Sequence, residues 1–177
     1  MFSTKVPQQL NRLSKMVISL RRWPKMLRSS LLNFMIHKTV KFTGTASLDI
    51  EILDFNRSVM RLKNRKKVQN HIGTIHATAM ALLGETATGL LIGMNIPDDR
   101  VPVLKSMSIQ YVKRATGDMR AEASLSPEQI ALMRTEMKGD TLVNVKVTDE
   151  EHKEPILAEF IWAWTPKRKP QPIQESP

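Results

Sequence analysis

The sequence of 177 residues contains no cysteine, and only 5% of its residues are aromatic. The absence of cysteine excludes disulfide bonds, cysteine-ligated zinc, iron–sulfur clusters and thiolate nucleophiles. No run of apolar residues approaches the ~18 residues that cross a bilayer as a helix, so we predict no membrane-spanning segment. What is present is typical of one globular domain with arms, because 41% of the residues are apolar and 25% are charged.

The first 48 residues lack acidic side chains altogether. The remaining 129 residues carry 18 basic and 17 acidic groups, so the net charge of +10 resides almost entirely in the N-terminal segment. A charge distribution of this kind indicates an anionic partner or a solvated basic face for that segment. The nine cations of the segment are Lys5, Arg12, Lys15, Arg21, Arg22, Lys25, Arg28, Lys38 and Lys41.

Three interpretations compete for this basic segment. A nucleic-acid-binding arm would fit the charge, but the segment has few stackable aromatics and no known motif. A cleaved mitochondrial presequence would fit a stretch that contains Arg and Ser and no acid. We favour an amphipathic helix that docks on its own domain, is kinked or divided at Pro24, and has at most weak contact with a membrane surface. Its apolar positions recur at three- and four-residue steps: Met16, Leu20, Trp23, Leu27, Leu31 and Phe34.

The alternation of apolar and polar residues beyond this segment predicts an α+β domain. We place a basic helical arm at residues 1–37, the domain at 38–165 and a loose Pro- and Lys-rich tail at 166–177. Residues 74–93 are small and apolar, which predicts a long buried helix, and Ser126 with Pro127 opens a short helix. The helix packs on an antiparallel sheet of five or six strands. Seven segments read as candidates for these five or six strands: residues 40–43, 48–52, 58–63, 105–112, 119–125, 141–148 and 156–164.

Glu85 is the only formal charge between Lys67 and Asp98, and it lies in the middle of the predicted buried helix. Burying a carboxylate costs several kcal/mol unless the group is paired, protonated or used in chemistry. Glu85 is therefore a candidate functional residue, with a buried ion pair to an arginine, or a helix face turned to solvent, as the alternatives.

The segment before this helix, residues 70–76, holds an asparagine, a glycine and two histidines. A helix N-terminus offers free N–H groups that can stabilise a carbonyl oxygen as it becomes an oxyanion. His71 and His76 together with Glu85 could suggest a metal, but their spacing is not that of a helical ligand pair, so we predict no metal. No phosphate loop, dinucleotide motif or nucleophile elbow is present.

Residues 70–78 and 82–87 together resemble the signature of the hotdog-fold thioesterases, especially the phenylacetic-acid-degradation type and its uncharacterised bacterial branch. Residues 111–118 resemble the strand and turn of the same family, so the resemblance extends over about residues 38–165. It implies a long central helix wrapped by a curved antiparallel sheet, to which this chain adds an N-terminal helix. It also implies a homodimer whose two sheets are continuous, with tetramers in some members.

The resemblance implies hydrolysis of acyl-coenzyme A thioesters without a metal or cofactor, at a site on the dimer interface. By position, Glu85 would be the general base or nucleophile and the N–H of Ala77 would polarise the thioester carbonyl. Asn70 would position water or substrate, with His76 and Thr86 in support. Further substrate contacts are assigned to Gly73 and Thr74 and, for the coenzyme phosphates, to the cations Arg61, Lys66, Lys67, Lys113 and Arg114.

Two departures from the family pattern leave alternatives open. Ala77 and Thr78 stand where the family has two glycines, and Lys113 with Arg114 precedes the later turn. The competing functions are an acyl-binding protein without catalysis on the same scaffold and, more weakly, a hydroxyacyl-thioester dehydratase that uses His71 or His76 as base. We expect a cytoplasmic protein without a nucleic-acid partner, or a mitochondrial one if the arm is a presequence.

Overall fold

A computed structural model describes residues 9–167 of the chain, which form five helices and six strands. A single turn of 3-10 helix, Lys66–Val68, lies between the second strand and the fourth helix. The helices are α1 (Arg12–Leu20), α2 (Lys25–Thr39), α3 (Lys41–Ala46), α4 (Ala77–Asn95) and α5 (Pro127–Thr135). The strands are β1 (Asp49–Leu53), β2 (Arg57–Leu62), β3 (Arg100–Tyr111), β4 (Met119–Ser124), β5 (Gly139–Asp149) and β6 (Ile156–Pro166).

The six strands form one curved antiparallel sheet in the order β1-β2-β4-β5-β6-β3. The helix α4 packs against this sheet, and most of its residues are buried. By length and composition α4 could cross a membrane, with a mean hydropathy of 1.3, yet its place here is the core of the domain. The predicted α+β architecture is confirmed, with six strands.

Two glycines of α4 permit the close approach of the sheet. A Cβ atom added at Gly84 would lie 2.7 Å from the Phe160 ring, and one added at Gly89 would lie 2.7 Å from the Trp162 ring. The same contact is fixed by a hydrogen bond, since the Trp162 indole N–H donates to Thr88 Oγ1 at 3.0 Å. The glycines therefore serve packing on the side of α4 that faces β6.

The strand predicted at residues 40–43 is wrong, because Lys41–Ala46 forms the helix α3. Thr43 and Ala46, three residues apart, turn inward together, and the Thr43 hydroxyl donates to Val40 O at 2.6 Å. Ser47 then ends the helix in a left-handed conformation, with φ of 52°. Four alternating residues are too few to distinguish a strand from a helical turn, and tertiary packing decided between them.

The N-terminal segment divides at Pro24 into α1 and α2 and contributes to the core. Asn11 caps α1 and also donates to Gly93 O at 2.7 Å and Ile96 O at 2.6 Å, which ties α1 to the end of α4. The predicted apolar positions that would dock on the domain are wrong from the third onward: Trp23, Leu27, Leu31 and Phe34 are exposed. The turn between the helices breaks the phase of this pattern, so the buried set is instead Val17, Leu20, Leu32 and Ile36. The predicted tail lies almost wholly outside the described residues.

Candidate functional site

The loop before α4 is held together by the side chain of Asn70. Its Oδ1 accepts hydrogen bonds from the N–H groups of Ile72 at 3.0 Å and Thr74 at 3.2 Å, and its Nδ2 donates to Thr74 Oγ1 at 2.8 Å. Gly73 allows this tight path because its φ is +77°, a conformation that residues with a side chain rarely adopt. Asn70, Gly73 and Thr74 thus shape the approach to the helix.

His76 is the N-cap of α4, and its Nδ1 accepts a hydrogen bond from the N–H of Thr78 at 3.2 Å. A ring nitrogen that accepts from a backbone N–H is not available as a base, so this nitrogen of His76 acts in capping. Ala77 is the first residue of the helix, and its N–H has no partner among residues 9–167. The site therefore presents one free backbone donor at the positive end of α4.

Glu85 lies two turns further along α4 and is only partly buried, as is Ala81 one turn before it. No ion-pair partner of Glu85 occurs within the described part of the chain. Burial raises the pKa of Glu85 above its ordinary 4.5, and a hydrogen bond from the Thr86 hydroxyl, 3.4 Å from Oε2, partly opposes that rise. The carboxylate is thus a stronger base than a solvated one.

Ala77 and Glu85 cannot act on the same substrate atom within one chain. They are eight residues apart on one helix, which separates them by about 12 Å along the axis at ~1.5 Å per residue. A nucleophile and an oxyanion donor must both lie about 3 Å from the reacting group. If both groups serve one reaction, they must come from two copies of α4.

The edge strand β3 has an apolar concave face that α4 covers only in part. In the register of the sheet, Met107 pairs with Phe160 and Tyr111 pairs with Ile156, so each pair shares one side of the sheet. Phe160 and Ile156 are buried, whereas Met107 and Tyr111 are 47% and 52% exposed. The concave face therefore continues beyond α4 to the free edge of the sheet.

Tyr111 connects this strand to the helix start, because its hydroxyl donates to Ala77 O at 3.0 Å. We name the line of Ala77, Ala81 and Glu85 with Met107 and Tyr111 the α4–β3 region. Our sequence reasoning assigned no site role to Tyr111. The signal was present, since Tyr111 is the single tyrosine of the chain and lies next to the end of the strand predicted at residues 105–112.

The predicted phosphate-binding cations are not all free. Arg61 forms a salt bridge with Asp118 at 2.6 Å, so its charge is compensated, and the Lys67 ammonium contacts Ser47 Oγ. Lys66, Lys113 and Arg114 are exposed and form no ion pair within residues 9–167. Lys67 is nevertheless the cation that the fold brings to the start of α4.

A cavity of about 260 Å³ lies between α3, the 3-10 turn and the start of α4. Its walls include Phe42 from α3 and Lys67 from the 3-10 turn. The other side is formed by His76, the N-cap of α4, and by Thr78 and Leu82 near the start of that helix. The contribution of α3 escaped our sequence reasoning because that segment was assigned to a strand. Over the described residues, no three His, Asp or Glu side chains meet in a cluster that could hold a metal ion.

The sequence matches one family model. Residues 28–164 match the family described as Domain of unknown function (DUF4442), so the chain belongs to that family. No curated protein matches the sequence.

Solved structures of thioesterases resemble this chain. A Pseudomonas aeruginosa protein of unknown function, described as a probable thioesterase, is 25% identical with a TM-score of 0.69, covering 82% of this chain and 97% of that one. A mutant of a Staphylococcus aureus thioesterase is 20% identical with a TM-score of 0.61, covering 71% and 99%. A Haemophilus influenzae thioesterase is 12% identical with a TM-score of 0.58, covering 71% and 82%. These similarities confirm the hotdog fold, whereas the phenylacetic-acid-degradation branch stays a prediction.

Proposed function

We propose that this member of the DUF4442 family hydrolyses acyl-coenzyme A thioesters, with Glu85 as general base or nucleophile. The observation that carries the proposal is the environment of Glu85: a partly buried carboxylate of raised pKa without an ion-pair partner in residues 9–167. Burying such a carboxylate lowers the stability of the fold, which is typical of a group that serves in a reaction. A base of raised pKa is suited to activating water. The thioesterases among the similar structures support this choice of reaction.

In the general-base route, ionised Glu85 accepts a proton from water while the water oxygen bonds to the thioester carbon. Negative charge then develops on the carbonyl oxygen, and the free N–H of Ala77 stabilises it. When the C–S bond breaks, the proton on Glu85 passes to the departing sulfur. The products are a carboxylic acid and a thiol, and Glu85 is ionised again.

We further propose that the site is completed by a second copy of the chain. The separation of about 12 Å between Ala77 and Glu85 along one helix requires it if both act together. The uncovered concave face at Met107 and Tyr111, on an edge strand of 12 residues, offers the surface on which a second α4 can pack. Pairing of two β3 edges would also cover backbone groups that an edge strand leaves open.

The choice of coenzyme A as carrier rests on the cations near the helix start. Lys67 lines the cavity beside His76, and Lys66 precedes it on the same turn. Lys113 and Arg114 follow Tyr111, whose hydroxyl contacts Ala77. Ammonium and guanidinium groups in these positions suit the phosphates of the coenzyme. Arg61 is less suited, because Asp118 already neutralises it.

The sharpest test separates the two groups onto two chains. Glu85→Gln removes the base, and Ala77→Pro removes only the N–H, since proline is favoured at the first helical position. Each variant alone should be inactive. A heterodimer of the two, isolated by two affinity tags after co-expression, holds one intact site of two and should recover about half of the activity. Because the chain has no cysteine, a thiol-reactive dye detects only released coenzyme A.

A heterodimer as inactive as its parents would contradict the two-chain site. If the unmodified protein releases no thiol from acetyl, octanoyl, palmitoyl or phenylacetyl coenzyme A, hydrolysis of these thioesters is excluded. Calorimetric binding of the same compounds would then establish the acyl-binding alternative. Glu159→Gln is the matched control, because Glu159 is an exposed carboxylate on β6 and should leave turnover unchanged.

A further inference from the structure

We propose that the outer side of α2 is a docking surface for an anionic phospholipid bilayer. The helix has two apolar sides, and the domain uses only one of them. Leu32 and Ile36 are buried against the core, whereas Leu27, Leu31 and Phe34 recur at four- and three-residue steps on the opposite side. The exposed apolar side chains of α2 are therefore available to contact a partner outside the domain.

The exposed fractions show how far this surface departs from an ordinary solvated helix. Trp23 is 54% exposed, Met26 84%, Leu27 56%, Leu31 37% and Phe34 56%. We name these five residues the outer arm face. Scattered single apolar residues on a surface are normal, but five large apolar side chains exposed along one helix and the turn before it, two of them aromatic, mark an interaction site.

The cations around the outer arm face are unusual because almost none has a counter-charge. Of the arm cations that the structure describes, only Arg21 forms a salt bridge, with Asp54 at 3.0 Å. The Lys38 ammonium lies 4.9 Å from the centre of the Phe34 ring, so charge and apolar surface are directly adjacent. The cations without an ion pair in residues 9–167 are Arg12, Lys15, Arg22, Lys25, Arg28, Lys38 and Lys41.

The acidic residues next to the arm neutralise one of its side chains, Arg21, which pairs with Asp54, whereas Asp98 accepts hydrogen bonds from the backbone N–H of Arg12. Asp49 and Glu51 on β1 are already paired with Lys63 at 3.2 Å and Arg120 at 2.8 Å. The arm is therefore a cationic surface on a body whose charges nearly balance.

An anionic bilayer is the partner whose chemistry fits both components at once. Lipid headgroups supply negative charge over an extended surface, and the boundary with the acyl chains accepts aliphatic and aromatic side chains. A nucleic acid would use the cations, but it offers nothing to Met26, Leu27 and Leu31. A second copy of this chain would use the apolar side chains, but it would bring its own cations against these.

Membrane docking does not depend on the proposed hydrolysis. The proposed membrane surface and the cavity at the start of α4 are both close to α3. Phe42 of α3 is 62% exposed and also lines the cavity beside His76. A bilayer held by α2 therefore lies near the cavity that opens at the start of α4, since α3 follows α2 directly.

The test is sedimentation of the full-length protein with vesicles, combined with tryptophan fluorescence. Vesicles of phosphatidylcholine alone are compared with vesicles that contain about 30% phosphatidylglycerol. We expect binding only to the anionic vesicles. Trp162 and Trp164 are buried, so a blue shift of emission on binding reports the one exposed tryptophan, Trp23.

Two variants separate the contributions of charge and apolar surface. The triple change Lys25→Glu, Lys38→Glu and Lys41→Glu should weaken vesicle binding on the order of a hundredfold. Leu27→Ser with Phe34→Ser should weaken it at least about tenfold and abolish the blue shift. These positions are exposed, and circular dichroism should show an intact fold.

Matched controls use exposed residues outside the arm. Lys138→Glu, Lys146→Glu and Lys153→Glu change the net charge equally, and Leu132→Ser with Met137→Ser removes comparable apolar groups. Both should bind vesicles like the unmodified protein. The proposal is overturned if anionic vesicles do not sediment the protein, or if the controls lose as much binding as the arm variants. It is equally overturned if the arm variants change only the molecular mass in analytical ultracentrifugation, because a second copy then covers this face.

Discussion

The α4–β3 region and the outer arm face both expose apolar side chains, and they differ in how their polar groups are placed. The α4–β3 region contains one carboxylate, Glu85, and one free donor, the N–H of Ala77, each fixed by the same rigid helix. The outer arm face is bordered by many lysines and arginines on long side chains that lack ion pairs in residues 9–167.

Two groups fixed on one rigid helix suit one small reacting centre, because catalysis depends on positions held to fractions of an ångström. Many mobile charges beside apolar side chains suit an extended anionic surface, where the sum of weak contacts matters more than the place of each. We therefore propose chemistry at the α4–β3 region and attachment at the outer arm face. Mutation, salt and pH should affect the two regions separately.

Glu85→Gln should have the largest effect, reducing kcat by roughly 10²- to 10⁴-fold through loss of a general base. The same variant should bind anionic vesicles normally, because Glu85 lies outside the arm. Thiol release and vesicle sedimentation on one preparation measure both properties. Loss of vesicle binding in this variant would show that the two regions are not independent.

Ala77→Pro should reduce kcat by roughly 10²- to 10³-fold, the effect of losing one donor to an oxyanion. Its melting temperature should change little, because the N–H has no partner in the described structure and the preceding His76 is already extended, with ψ of 144°. Ala77→Ser keeps the N–H with a side chain of similar size and serves as control. Equal loss in both variants would indicate a steric effect in place of a lost donor.

Raising the salt concentration should weaken vesicle binding by the outer arm face without changing hydrolysis at the α4–β3 region. Between about 50 and 200 mM salt, vesicle binding should fall on the order of tenfold, since exposed charges are screened. Hydrolysis of a short, uncharged acyl-thioester analogue should stay nearly constant over this range, because its reaction uses only Glu85 and Ala77. A salt-dependent kcat for this analogue would contradict the assignment.

The pH profile should show a smaller and directional effect. Because burial raises the pKa of Glu85 above 4.5, kcat should fall with decreasing pH at a point above 4.5. Thr86→Val removes the hydrogen bond that opposes this rise, so the acidic limb should move to higher pH. An unchanged limb in this variant would show that another group titrates.

Stability should follow the same titration with a defined sign. The folded state holds the Glu85 proton more tightly than the unfolded chain, so the free energy of unfolding falls as pH rises from 4.5 through the raised pKa. Glu85→Gln should lack this part of the pH dependence in denaturant unfolding. A variant with the same pH dependence as the unmodified protein would mean that Glu85 is not desolvated.

Prediction from the sequence succeeded where local pattern and tertiary structure agree. The run of small apolar residues predicted α4, and Ser126 predicted the cap of α5. Glu85 stands out in the sequence as the only charge between Lys67 and Asp98, and its catalytic role stays a prediction. Prediction failed at residues 40–43, where a four-residue alternation was outweighed by packing of Thr43 and Ala46. The role of Tyr111 also escaped it, because the contact with Ala77 spans 34 positions.

The sequence by itself determined the fold class, the isolation of one carboxylate and the acid-free arm, because each depends only on which residues are neighbours along the chain. Only the tertiary structure decided which side of α2 is buried, that Asp118 neutralises Arg61, and that the concave face at Met107 stays uncovered. Those outcomes depend on where distant segments meet and on the turn at Pro24, which resets the phase of the helix. A periodic pattern specifies that a helix has an apolar side, and packing against the rest of the chain selects which side is buried.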